Sequence, residues 1–171
     1  MNREEWDKYY LRMAREAGSN SKCLSRKIGA LLIQDNRIVA TGYNGPPEGV
    51  THCGEEEAFF KVFDCDEERI LGKCPRKAAG AKSGEMVDKC VAVHAERNAL
   101  LTAGRYGTPT KDGMLVCYCP PPCQECMKEI IQAGIKAIVC LNGPFYDDMS
   151  EWLIEQSGIE LRQYSKGEIL D

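Results

Sequence analysis

The sequence lacks an excess of positive charge, long apolar runs and an export signal. Its 171 residues include 22 Lys and Arg against 26 Asp and Glu, for a net charge of -4. This balance does not give the basic footprint of a protein that grips a nucleic-acid backbone, although a small phosphorylated ligand needs only one or two local cations. No stretch approaches the roughly 20 apolar residues of a membrane span, and the first residues lack a secretory pattern. We therefore expect a cytoplasmic protein that binds neither nucleic acid nor membrane.

Cysteine, in contrast, is abundant, with ten residues. Without an export signal, cysteines are better explained as metal ligands and free thiols than as a disulfide framework, which is the less favoured alternative. The length suits one domain with its own core, so we predict a single domain over residues 1–171. A segment at about 45–90 has no clear strand or long helix and exceeds the usual loop length, which predicts a long inserted loop.

Hydrophobic periodicity predicts a helix over residues 4–17, stopped by Gly18. Two β-branched runs joined by the turn-forming residues 34–36 predict a hairpin of two strands. The inserted loop has the pattern of a short helix near residues 55–63. The predicted strands are 28–33, 37–43, 114–119, 136–141 and 159–164, and the later helices are 94–104, 123–134 and 149–155. This order predicts a three-layer α/β/α sandwich with a mixed five-stranded sheet.

Two motifs carry the chemistry, namely His94-x-Glu96 and Pro122-Cys123-x-x-Cys126. One imidazole and two thiolates would leave the fourth position of a tetrahedral Zn²⁺ open for water, which is typical of a catalytic site. Pro122 suits a helix start, which predicts both cysteines in a first helical turn, where the positive end of the dipole favours thiolates. Glu96 faces differently around its helix from His94, so we expect it to transfer protons and not to bind the metal.

Two other interpretations of the cysteine pair remain. The pair could be a redox dithiol, or it could complete a four-ligand structural zinc site with another cysteine. Each explains the C-x-x-C spacing, but neither explains its pairing with His-x-Glu.

The combined pattern resembles the signature of zinc-dependent deaminases. The resemblance implies that Glu96 takes a proton from a zinc-bound water and delivers it to the ring nitrogen beside the amino-bearing carbon. It also implies that hydroxide attacks that carbon, and that Glu96 then protonates the departing ammonia.

Three further stretches resemble the deoxycytidylate deaminase family: residues 23–30 (CLSRKIGA), 41–49 (TGYNGPPEG) and 90–99 (CVAVHAERNA). The similarity extends over about residues 5–164. It implies a cytidine-deaminase-like fold, zinc, and conversion of dCMP to dUMP for thymidylate synthesis. It also implies a homo-oligomer, often a hexamer in this family, regulated by dCTP and dTTP.

Candidate substrate contacts follow from these stretches. Asn44 offers a donor and an acceptor to sugar or base, and Arg26 is a candidate for the phosphate. Ala95 lies between the two motif residues, and Tyr146 could close over the pocket. The alternatives are a turn residue for Asn44, a solvated charge for Arg26 and simple packing for Tyr146.

The resemblance also implies a second, structural zinc near three of the remaining cysteines, and the inserted loop adds two more. The candidate ligands are Cys23, Cys53, Cys74 and Cys90, with Cys65 and His52 as substitutes. Cys117, Cys119 and Cys140 lie on predicted strands and are most simply buried core thiols.

Two departures from the family leave the substrate open. Cys119 stands where the family usually has threonine and is followed by three prolines, and the inserted loop is long. Alternative substrates are a modified cytosine nucleotide, guanine or a riboflavin precursor. An alternative class is a non-catalytic nucleotide-binding zinc protein. Another is a nucleic-acid editor, which the acidic composition disfavours.

Overall fold

The computed structural model describes residues 1–55, 72–82 and 84–170, so the helix predicted near 55–63 lies mostly outside the described residues. The five strands are β1 (Gly29–Gln34), β2 (Arg37–Tyr43), β3 (Met114–Cys117), β4 (Ala137–Leu141) and β5 (Glu160–Tyr164). The helices are α1 (Arg3–Ser19), α2 (Pro75–Ala78), α3 (Ala95–Arg105), α4 (Gln124–Gln132), α5 (Asp148–Ser157) and α6 (Lys166–Leu170), with a 3₁₀ turn at Val87–Lys89. Within the described ranges no helix is long and apolar enough to cross a membrane.

The strands form one mixed sheet in the order β2-β1-β3-β4-β5. β1 pairs antiparallel with β2 and with β3, whereas β3, β4 and β5 run parallel. Asp35 and Asn36 join β1 to β2 with φ angles of 47° and 59°, as a two-residue hairpin turn requires. The predicted mixed five-stranded sheet is confirmed.

Helices cover both faces of the sheet, because alternate residues of each central strand point to opposite sides. Leu31 and Val116 pack with α1 and α6, and Leu32 and Leu115 pack on the other face with α3 and α4. The three-layer α/β/α arrangement is therefore also confirmed.

Gly18 does not end α1, so that prediction was wrong. The helix continues to Ser19, and Gly18 is buried where α1 crosses the start of β1. A Cβ at Gly18 would lie 2.8 Å from the backbone nitrogen of Gly29, and one at Gly29 would lie 1.9 Å from the carbonyl oxygen of Ala14. These two glycines allow the backbones of α1 and β1 to come close together. Local sequence rules, in contrast, interpret a glycine at position 18 as the end of a helix.

A second close approach fixes the position of α3 on the sheet. A Cβ at Gly42 would lie 2.2 Å from the carbonyl oxygen of Ala95 and 2.4 Å from the backbone nitrogen of Ala99. Past the end of β2, Gly45 and Val93 exchange backbone hydrogen bonds of 3.2 and 2.8 Å. The first turn of α3 is thereby held at the carboxyl end of β2.

Candidate metal centre and active site

His94 and the cysteine pair meet at the sheet edge where α3 and α4 begin. His94 is the N-cap of α3, Cys123 is the N-cap of α4, and Cys126 lies in the first turn of α4. The prediction that both cysteines lie inside the first turn was thus off by one residue for Cys123. Nδ1 of His94 lies 3.5 Å from Sγ of Cys123 and 3.3 Å from Sγ of Cys126.

These spacings fit a single zinc ion. Tetrahedral zinc with ordinary Zn–N and Zn–S bonds separates its nitrogen and sulfur ligands by about 3.5 Å. The three ligand atoms all lie within 4.8 Å of one another. His94 is exposed and Cys126 is buried, so one side of the triad faces the cavity described below.

The electrostatics of the triad favour a thiolate at Cys123. The hydrogen bond from Cys126 and the contact with His94 lower the pKa of Cys123 to about 4. The same hydrogen bond, together with burial, raises the pKa of Cys126, and the hydrogen bond to Cys123 raises that of His94. The sulfur of Cys123 therefore ionises readily to a thiolate, and the thiolate is the form of cysteine that binds metal.

Glu96 lies beside the triad but outside it. Its side chain is 4% exposed, and burial raises the pKa of its carboxyl group. The thiol of Cys119 donates a hydrogen bond of 3.6 Å to Oε1 of Glu96. A buried carboxyl group with a raised pKa is a better proton acceptor than an ordinary carboxylate and can return the proton to a neighbouring group.

All four predicted substrate contacts line the same cavity as His94 and Cys123, two of the three candidate metal ligands. The cavity measures about 670 Å³, and its wall includes Arg26, Asn44, Ala95, Glu96, Tyr146, His94 and Cys123. Ala95 is the first residue of α3, so its backbone N–H has no partner within the helix. The structure thus brings together residues from five separate parts of the sequence.

Asn44 has a structural task that the sequence did not reveal. Its Oδ1 accepts a hydrogen bond of 2.8 Å from the backbone N–H of Ile28, and its Nδ2 donates one of 2.8 Å to the carbonyl of Arg26. The side chain therefore fixes the backbone on both sides of Lys27. One Nδ2 hydrogen is left for a ligand.

Arg26 and Tyr146 stand at the more open end of the cavity. The Arg26 side chain is exposed, and among the described residues it forms no salt bridge. Tyr146 is 47% exposed, and a Cβ at Gly84 would lie 3.2 Å from its hydroxyl group. The tyrosine thus lies against the inserted segment at the rim.

Cys119 is not a core strand thiol, so that prediction was wrong. β3 ends at Cys117, and Cys119 lines the cavity next to Glu96. The hydrogen bond from Cys117 lowers the pKa of Cys119, but burial and the charge of Glu96 outweigh it and raise that pKa to about 11. The signal was in the sequence, because the run of prolines that starts at Pro120 cannot continue a central strand.

The four cysteines predicted for a second zinc line one wall of the same cavity. Burial and the neighbouring Cys90, Cys74 and Cys23 raise the pKa of Cys53 to about 11. Among the described residues, however, these four sulfurs are not a group with all ligand atoms within 4.8 Å. Cys65 lies outside the described residues, so a second zinc site stays a prediction.

Comparison with known proteins gives a consistent result. A family model described as the cytidine and deoxycytidylate deaminase zinc-binding region matches residues 4–142. The deoxycytidylate deaminase of Schizosaccharomyces pombe is 37% identical over 163 residues, which are 95% of this chain and 45% of that protein. The chain therefore spans about half the length of this relative.

Two viral proteins match over nearly their whole length. The deoxycytidylate deaminase of Mycobacterium phage D29 is 34% identical over 144 residues, 81% of this chain and 96% of that protein. A crystal structure of the dCMP deaminase from cyanophage S-TIM5, in complex with dCMP and dUMP, is similar with a TM-score of 0.69 and 26% identity. This similarity covers 96% of this chain and 99% of that one.

Proposed function

The chain belongs to the cytidine and deoxycytidylate deaminase family, and from that premise we propose that it hydrolyses dCMP to dUMP and ammonia. The observation that carries this proposal is the cavity that joins a three-ligand zinc site to a buried carboxyl group and an exposed arginine. The bound dCMP and dUMP of the cyanophage enzyme support the choice of substrate.

The zinc site would be held by His94, Cys123 and Cys126, whose donor atoms fit a tetrahedral ion with one position free. When bound, zinc acts as a Lewis acid that lowers the pKa of water and so makes a nucleophile available at neutral pH. The remaining chemistry belongs to the side chains around it.

Glu96 is the proposed proton carrier. It accepts a proton from the attacking water and gives it to the ring nitrogen beside C4 of the base, where the amino group is attached. A second proton transfer through Glu96 lets the amino group leave as ammonia and C4 become a carbonyl carbon. Burial suits this task because it raises the pKa of the carboxyl group above its ordinary value.

The remaining candidate contacts have distinct proposed roles. The backbone N–H of Ala95, which has no partner within α3, and the second Nδ2 hydrogen of Asn44 would hydrogen-bond the base or sugar. Arg26 would bind the phosphate, and Tyr146 would cover the mouth of the cavity. Each of these residues lines the cavity, which supports the assignment.

The test is a comparison of substrates by ammonia release, with dCMP, CMP, deoxycytidine, cytosine, guanine and base-modified dCMP analogues. We expect the highest kcat/KM for dCMP. A higher kcat/KM for guanine or for a modified dCMP would identify that compound as the substrate in place of dCMP. If no compound releases ammonia, a non-catalytic zinc protein is favoured.

We also propose the second zinc, coordinated by Cys23, Cys53, Cys74 and Cys90. The backbone N–H of Ser25 donates a 3.5 Å hydrogen bond to Sγ of Cys23, which is a contact that stabilises a thiolate. A metal would offset the entropy of ordering the inserted loop. Elemental analysis should give about two zinc ions per chain, and one fewer in Cys74→Ser. One ion per chain in the unaltered protein contradicts this site.

We also propose that the protein forms a homo-oligomer and that dCTP and dTTP regulate it. The chain is proposed to be a single domain and the protein to be cytoplasmic. Exposed apolar side chains on α3 and α5, including Leu101 and Trp152, support self-association. The many free thiols support a reducing compartment. Light scattering of the purified protein, with and without each nucleotide, measures assembly directly.

A further inference from the structure

A second group of metal-binding side chains lies beside the proposed zinc ligands. A carboxylate oxygen of Glu96 and the sulfur atoms of Cys117 and Cys119 all lie within 4.8 Å of one another. None of these three residues belongs to the triad of proposed zinc ligands. Two thiols and a carboxyl group gathered so closely offer a second set of donor atoms to a metal ion.

The distances within this group fit one tetrahedral ion. The hydrogen bond from the thiol of Cys119 to Oε1 of Glu96 is 3.6 Å long. A tetrahedral zinc ion with ordinary Zn–O and Zn–S bonds holds its oxygen and sulfur ligands about 3.5 Å apart. The thiol of Cys117 donates in turn to the sulfur of Cys119. The three donor groups thus form a continuous chain of hydrogen bonds, whose two thiol protons a metal ion replaces when it binds.

Two of the three residues stand on regular elements of the fold. Cys117 is the last residue of β3 and pairs with Cys140 of the neighbouring strand β4. Glu96 lies in the first turn of α3, whose start is held by the backbone hydrogen bonds between Gly45 and Val93. A metal site on strands and helices is held more precisely than one on loops.

The group is buried, but it can be reached from the large cavity. Cys117 is fully buried and Glu96 is 4% exposed, whereas Cys119 and Glu96 both line the cavity wall. An ion that enters the cavity therefore meets Cys119 and Glu96 first and then the sulfur of Cys117. The cavity side of the group is where water would supply the fourth ligand of a tetrahedral ion.

The donor set selects one chemical class of ligand. Thiolate sulfur is a soft ligand that suits ions such as Zn²⁺ and Cd²⁺, whereas Mg²⁺ and Ca²⁺ prefer oxygen ligands. With both thiols ionised, the group carries three negative charges, which attract a divalent cation strongly in a buried place. The expected ligand is therefore a thiophilic divalent cation.

We propose that Glu96, Cys117 and Cys119 form an inhibitory site for a thiophilic divalent cation, such as Cd²⁺ or an excess of Zn²⁺. The inhibition, but not the binding, rests on the proposed function, because an ion on the carboxylate of Glu96 blocks its proposed transfer of protons. Binding forms bonds from the ion to two sulfurs and one carboxylate oxygen, and two thiol protons leave to the solvent. Because burial disfavours the loss of these protons, the site fills only when the ion is in excess, and it is empty in protein dialysed free of unbound metal.

The test counts bound zinc by equilibrium dialysis over a range of free zinc concentrations. The unaltered protein should gain about one further ion per chain at high free zinc, and Cys117→Ser and Cys119→Ser should not gain it. Excess zinc should inhibit deamination of dCMP by the unaltered protein. The zinc concentration for half inhibition should rise about tenfold or more in both variants, each measured against its own rate without excess zinc.

Cys140→Ser is the matched control, since Cys140 also contacts Cys117 but is outside the group of three donor atoms. It should keep both the further zinc ion and the inhibition. Equal zinc binding by all four proteins overturns the site, as does an equal loss in Cys140→Ser, which indicates a general disturbance of the core. Further zinc bound without inhibition overturns the inhibitory role. If the unaltered protein deaminates no compound, the proposed function fails, and the ion counts alone decide the site.

Discussion

Replacement of Glu96 by glutamine separates proton transfer from metal binding and from packing. Glutamine has nearly the same shape as glutamate and can fill the same site, which is 4% exposed. It cannot take up a proton and return it to the substrate. Because His94, Cys123 and Cys126 are the proposed metal ligands, the variant should keep its zinc.

The expected loss follows from the role of a general acid and base. Such a group contributes about 100- to 10,000-fold to the rate, so kcat for dCMP should fall within that range. KM should change little, since Glu96 is proposed to act in the chemical steps. The fold should not be weakened, because the substitution removes a carboxylate that burial makes costly to ionise.

The assay is ammonia release from saturating dCMP, with zinc measured on the same sample. Glu125→Gln is the control, because Glu125 is also in the first turn of a helix, between the candidate ligands Cys123 and Cys126, but is exposed and paired with Lys128. Loss of zinc from Glu96→Gln would make Glu96 a ligand. Turnover within about threefold of the unaltered protein, with zinc retained, would refute the proton-transfer role.

Substitutions at Cys119, Gly42 and Asp7 test three other contacts seen in the structure. Cys119→Ala should lower kcat about 2- to 10-fold through loss of the thiol contact to the carboxyl group of Glu96, and Cys119→Ser should recover most of it; an unchanged kcat in the alanine variant contradicts this role. Gly42→Ala should destabilise the fold by about 1–3 kcal/mol in urea unfolding, because its Cβ would collide with the backbone of α3. Gly45→Ala should be better tolerated, since among the described residues no atom beyond its own chain neighbours lies within 4 Å of the position that its Cβ would take; similar losses for both glycines contradict the collision argument. Asp7→Asn should cost about 3 kcal/mol or more, because Arg162 loses a buried partner at 2.6 Å; a loss below about 1 kcal/mol shows that the pair adds little.

Local sequence signals predicted most of the secondary structure. β-Branched runs joined by turn-forming residues identified β1 and β2, and helical spacing identified α1, because these patterns depend on residues close together in the chain. The end of α1 was mispredicted at Gly18 for the same reason, because glycine is the residue typical both of a helix end and of a close backbone approach such as that to β1. The short α2 and the terminal α6 had no predicted counterpart, as a helix of four or five residues has too few turns to show a period.

The candidate site was predicted in its chemistry but not in its contacts. Residue types and spacing selected Asn44 and Arg26, yet the hydrogen bond between the Asn44 amide and the Arg26 carbonyl depends on tertiary structure. Cys119 was assigned to a strand because its neighbours are apolar, whereas its contact with Glu96 requires β3 and α3 to be packed together. No sequence signal indicated Arg76, which reaches the cavity through a segment distant from both motifs.

The sequence by itself determined which residues are candidates for the metal-ligand set and for the proton carrier, because an imidazole, a cysteine pair and an adjacent carboxyl group are chemical identities that folding cannot alter. Only the tertiary structure decided where they meet and what else lines the cavity. Pairing of β1 with both β2 and β3 brings residues 26–29, 44–45 and 118–119 to one edge, as the hydrogen bond from Tyr118 to Gly29 illustrates. Which strands pair, and in which register, depends on the burial of whole faces of the sheet. Contacts between distant segments therefore depend on the packing of the complete core, which no local motif specifies.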